Sequence, residues 1–193
     1  MKTIKYIAFL RGINIGGHRV KMEHLRELFA VLNVSNVGNY IQTGNIFFET
    51  VETDRAALTE RIERHLFENL GYEVPTFLRT IEEVESAVEL NPFVELNPFK
   101  EIELTDDTRF LITFIPKPLP ADFVLPFIPP KNDYEILRAT GGEVFSVVKI
   151  IDGRPSNPVA LIEKTAKMKT TSRFFHTTIK ILQAAQDGLN KNN

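Results

Sequence analysis

Residues 4–10 (IKYIAFL) put Ile4, Tyr6, Ala8 and Leu10 on one alternation and Ile7 and Phe9 on the other. A strand apolar on both faces is central, with cover on each side. Met22, Leu25, Leu28, Phe29 and Leu32 then recur at helical spacing. Two short strands, NVGNYIQ and NIFFE, flank a Thr43-Gly44 turn and predict a hairpin. Thr53 or Asp54 caps a second helix with Leu58, Ile62, Leu66 and Phe67 on one face and Gly71 past its end. EVPTFLRT reads as a fourth strand, with Pro75 near its start where an edge strand tolerates it. The order is β-α-β-β-α-β, the ferredoxin-like plan, over residues 1–80.

Residues 81–107 form a connecting segment. A helix over about 81–90 gives way to Asn-Pro-Phe at 91–93 and again at 97–99, where prolines interrupt regular structure and phenylalanines pin the crossing to a core. Residues 108–193 predict a second, degenerate copy. TRFLITFI is another doubly apolar strand, and PKPLPADFVLPFIPP has room for at most a short helix around 120–126. DYEILRA, Gly141-Gly142 and EVFSVVKI form a second hairpin, and helices follow at about 157–167 and 173–187. No fourth strand is visible in this half. The expected fold is α+β: two ferredoxin-like (βαββαβ-type) halves, the second degenerate, with a C-terminal helix. Helices cover one side of each sheet, and the other apolar faces meet each other or a dimer partner.

Composition adds exclusions. Of the 193 residues, 43% are hydrophobic and 25% charged, as expected of a globular chain, and no apolar run reaches membrane-spanning length. The apolar stretch Tyr6–Leu10 is too short for a signal peptide, so a cytoplasmic location is expected. The absence of cysteine removes disulfides, thiolate metal sites and cysteine nucleophiles. A net charge of −2 argues against a whole-surface nucleic-acid binder. One biased stretch stands out: 164–180 (KTAKMKTTSRFFHTTIK) holds five basic residues and no acid.

AFLRGINIGG (8–17), VKM (20–22) and YIQTGNIFF (40–48) resemble a bacterial family, domain of unknown function 1697, characterised by ALLRGINVGG, a KM helix start and YIQSGNVVF. The resemblance continues through Arg79-Thr80, Asn91-Pro92-Phe93, Thr113-Phe114 and a C-terminal threonine-arginine motif. Near that motif the family has Thr-Arg-Asn-Trp-Asn-Thr, whereas this chain has Ser172, Arg173, Phe174, Phe175, His176 and Thr177, so both asparagines are replaced. The resemblance implies a fold and a set of marked positions, and no activity.

Three polar constellations follow. The loop carrying Arg11, Asn14, Gly16, Gly17 and Lys21 matches neither a Walker loop nor the dinucleotide fingerprint. Its amides and cations suit an anion, or its glycines serve a tight strand-to-helix turn. Gln42, Asn45 and Arg79 are expected to be neighbours at one sheet edge, with Arg11 distant at the opposite edge. Two amides and a guanidinium there read a carboxylate, phosphate or base edge, or else tie down the hairpin and the linker. Thr171, Arg173 and Thr177, with Arg173 at an expected helix start, suit a phosphate or an acid such as Glu163. Phe174 and Phe175 are expected as core anchors rather than stacking platforms.

Histidines 18, 24, 65 and 176 are scattered without metal spacing, and no nucleophile elbow is present. No metal site is expected and no cofactor is indicated. The first functional expectation is an anionic small molecule, phosphorylated or nucleotide-like, bound in the cleft between the halves by a monomer or homodimer that has no membrane association. Two alternatives are a nucleic-acid-associated protein using 164–180 and an enzyme of nucleotide or sugar-phosphate metabolism.

Overall fold

Among the described residues, doubly apolar strands and amphipathic helices resolve into two antiparallel sheets and five helices. The computed structural model describes residues 3–14, 16–93 and 106–190. The chain divides into two compact units, Met1–Ser86 with Ile179–Asn193, and Ala87–Thr178. Among the described residues no helix is long and apolar enough to cross a membrane.

The first unit runs β1 (Ile4–Leu10), α1 (Met22–Ala30), β2 (Ser35–Asn39), β3 (Asn45–Thr50), α2 (Arg55–Leu70) and β4 (Thr76–Thr80). Its strand order is β2-β3-β1-β4, and each neighbouring pair is antiparallel. Tyr6, Ala8, Leu10, Ile46, Phe48 and Leu78 face a core shared with Leu25, Phe29, Leu58, Ile62 and Leu66 of α1 and α2. Asp54 caps α2 by accepting from the Ala57 amide, and Gly71 ends the helix at φ 78°. Phe67, expected on the buried face of α2, is instead 52% exposed. Leu66 beside it fills that face, and a residue one step along a helix turns about 100° away.

α3 (Ile81–Leu90) leads towards the second unit. That unit comprises β5 (Thr108–Phe114), β6 (Tyr134–Ala139), β7 (Glu143–Ile151), β8 (Arg154–Pro155), α4 (Pro158–Ala166), β9 (Thr171–Phe174) and the start of α5 (Phe175–Asn190). Its sheet runs β6-β7-β5-β9, with β8 paired to the end of β7. The passage with room for at most a short helix near 120–126 holds none. Prolines 116, 118, 120, 126, 129 and 130 remove backbone donors along that arm, which instead makes a bridge between Phe127 and Ile136. A fourth strand does exist. β9 is four residues long, too short for its alternation to register, and it displaces the start of the last helix from 173 to 175.

Ile7, Phe9 and Phe114 are fully buried within the single chain. In the second unit Phe93, from the first Asn-Pro-Phe, packs against Phe110, Phe145 and Phe175. The second Asn-Pro-Phe, 97–99, lies outside the described residues. In the first unit α5 runs beyond the expected stop at Gly188 to Asn190. A Cβ on Gly188 would come within 2.5 Å of the Phe47 ring, and one on Gly38 within 2.2 Å. The glycines therefore hold a ring that any side chain would displace.

Candidate functional site

Antiparallel pairing decides which loops meet. The Leu10 amide donates to the Gly44 carbonyl at 2.8 Å, and the Arg11 amide to the Pro75 carbonyl at 2.9 Å. The end of β1, the β2–β3 turn and the approach to β4 therefore share one edge of the first sheet. This reverses the expected placement. β3 and β4 both run opposite to β1, so Arg11 lies beside the Gln42 turn. Arg79, paired across from Ile7, lies down the strand from it.

Asn14 fastens the two loops together. Its Nδ2 donates to the Gln42 carbonyl at 3.0 Å and to the Val20 carbonyl at 3.2 Å, while its Oδ1 accepts from the Val20 amide at 2.6 Å. Around this clamp Gly12, Gly16 and Gly17 have φ of 79°, 66° and 97°, and a Cβ on any of them would meet nothing within 4 Å. The backbone there is open to approach from outside. In the facing turn Ile41 has φ 46° and is half-exposed. A β-branched residue held in the left-handed region is a strained one.

The cations of this edge are gathered in one loop, while Glu63 of α2 reaches the same edge by accepting from the Thr76 amide at 2.7 Å. Arg11 is half-buried, and Gly16, Gly17, His18, Arg19 and Lys21 are exposed, as is Gln42. No acid occurs in sequence from 11 to 22 or from 40 to 48, and Glu73 lies just ahead of β4. Asn45 is fully buried, and its Nδ2 donates to Thr43 Oγ1 at 2.8 Å and to the Tyr40 carbonyl at 3.4 Å. That amide shapes the turn. Sequence reasoning missed one further element: the exposed His18 ring stacks on Tyr72, with centroids 3.8 Å apart. Tyr72 packs against the helix-side core, its Oη is buried without a partner among the described atoms, and burial pushes its phenol above the ordinary value. The two residues are 54 positions apart, and nothing local in the sequence joins them.

The remaining expected site residues are placed elsewhere. Arg79 is buried, and its Nη1 donates to the Leu78 carbonyl at 2.8 Å. Thr171, Arg173 and Thr177 belong to the second unit. Arg173 is in β9 rather than at the expected helix start. Its Nη1 donates to Thr171 Oγ1 at 3.0 Å and to the Ser172 carbonyl at 2.8 Å, and loss of solvent pushes its pKa down to about 10. The basic stretch 164–180 is divided among α4, the connection at 167–170, β9 and α5.

Residues 3–145 match the model of a family described as protein of unknown function (DUF1697). The chain belongs to that family. Among solved structures, the DUF1697 chain is similar to one described as conserved bacterial protein SP0830 from Streptococcus pneumoniae. The two share 24% identity and a TM-score of 0.63, covering 95% of this chain and 99% of the other. A likeness at that identity concerns the fold. No curated protein matches the chain.

Proposed function

We propose that the edge built by residues 11–14, 16–21 and 40–44 binds a small anionic ligand, a phosphorylated compound in the first instance. The observation that carries this reading is the Asn14 clamp, which presents an open glycine backbone with Arg11, Arg19 and Lys21 in one acid-free segment. Backbone amides and guanidinium groups together favour phosphate oxygens, and a pre-shaped loop loses little freedom on binding. The strain at Ile41 is in keeping with a turn held for function. Sequence 164–180 supports no comparable reading, because its five cations are spread over α4, the connection after it, β9 and α5.

Titration with pyrophosphate, followed by backbone amide NMR, tests the proposal. Shifts are expected at 12–21 and 42–44. They are expected to vanish in the double variant Arg19→Gln/Lys21→Gln, whose exposed side chains leave the melting temperature almost unchanged. Absence of shifts at millimolar pyrophosphate, or equal shifts in the double variant, would show that the glycines serve only the turn.

A further inference from the structure

We infer that the ligand of this edge is a nucleoside phosphate whose base stacks on the His18 imidazole while its phosphates lie over the Gly16-Gly17 turn. The inference rests on the anion-binding reading above and adds a second contact to it. An inorganic anion needs no aromatic surface. Yet the basic loop carries an exposed ring directly after its paired glycines, two residues from Gly16, backed by Tyr72 at 3.8 Å. Tyr72 is itself packed against the helix-side core, so the imidazole is held rather than free.

A ring fixed before binding loses little on stacking, and every nucleobase offers a π-face to it. Two residues of chain span at most about 7 Å, close to the reach from a nucleobase to its 5′-phosphate. The spacing therefore lets one small molecule touch both the ring and the loop. Three cations in one short loop suit the charge of a single nucleotide, whereas a polynucleotide requires a longer basic track.

Calorimetric titration of the full chain with ADP and, separately, with pyrophosphate tests this. Stacking on a protein ring is expected to make ADP bind about tenfold more tightly than pyrophosphate. His18→Ala should remove that margin and leave the pyrophosphate affinity unchanged, and His18→Phe should restore the margin. Because His18 is exposed, both variants are expected to fold, which circular dichroism checks. Equal affinity for ADP and pyrophosphate would overturn the nucleotide assignment while leaving anion binding in place. So would a His18→Ala variant that weakens both alike, since the ring would then only shape the loop. A short single-stranded oligonucleotide binding more tightly than ADP would also overturn it, in favour of a nucleic-acid surface. Failure of both small ligands to bind would end the anion reading as well.

Discussion

The two sheets share a backbone frame and differ in what lies upon it. In each, the last residue of the central run donates across to a turn glycine at 2.8 Å, Leu10 to Gly44 and Ile115 to Gly142. An edge-strand arginine pairs across from an isoleucine, Arg79 with Ile7 and Arg173 with Ile112. Each arginine donates to the carbonyl just before it at 2.8 Å. A helix glutamate accepts the first amide of the edge-strand segment at 2.7 Å, Glu63 from Thr76 and Glu163 from Thr170. The helix-facing positions diverge under this common register: Ala8, Phe48 and Leu78 in the first sheet correspond to Thr113, Ser146 and Ser172 in the second.

Backbone pairing thus holds the plan constant while side chains choose the covering layer. In the first sheet, apolar floor residues support α1 and α2. In the second, the segment corresponding to the glycine loop and α1 is a proline-rich arm. Its Leu119, Phe123, Leu125 and Phe127 are only partly buried around Ile115, Ile136, Val144 and Ile162. The cationic glycine loop has no counterpart there, which concentrates the proposed binding on the first sheet.

Exchanging floor residues breaks this comparison most strongly. Phe48→Ser gives the first sheet the residue of the second, and removing a buried aromatic is expected to cost about 3–5 kcal/mol. Urea unfolding measures it; a loss below about 1 kcal/mol would mean that the helix layer does not depend on its floor. The paired glutamates come next. Glu63→Ala and Glu163→Ala each strand a buried edge-strand amide, at a cost of about 1–3 kcal/mol, and the two losses should be alike. A silent Glu163→Ala would confine the correspondence to strand register. The smallest effect has the opposite sign. Thr113 Oγ1 and Ser146 Oγ are buried without partners among the described atoms. Thr113→Val and Ser146→Ala are therefore expected to be neutral or to stabilise by up to about 1 kcal/mol, and destabilisation in the same assay would reveal an acceptor for each hydroxyl.

Sequence pattern reached furthest where burial is periodic. β1, α1, α2 and β7 are long enough for their apolar positions to declare both face and period, and the Asp54 and Gly71 caps follow from local chemistry. It fails at β9, where four residues carry too little alternation, so that the pattern puts Arg173 at a helix start. The site was half legible. The basic glycine loop and Gln42 are visible as motifs, but their meeting depends on β3 and β4 running opposite to β1, which no local pattern declares. Asn14 as a clamp and His18 on Tyr72 are long-range contacts with no local signature.

The Phe47 ring, seated between Gly38 and Gly188, ties the completion of the first sheet to the order of synthesis. β1, β3 and β4 leave the ribosome early, yet the helix turn that closes over this ring lies about 140 residues downstream of it. At about 5–20 residues per second the apolar face waits on the order of ten seconds for its cover. During that interval Phe47, with Ile7 and Phe9 beside it in the sheet, is sticky surface of the kind chaperones bind. Nascent chains released before residue 188 should partition to chaperones, and chains extended past it should not.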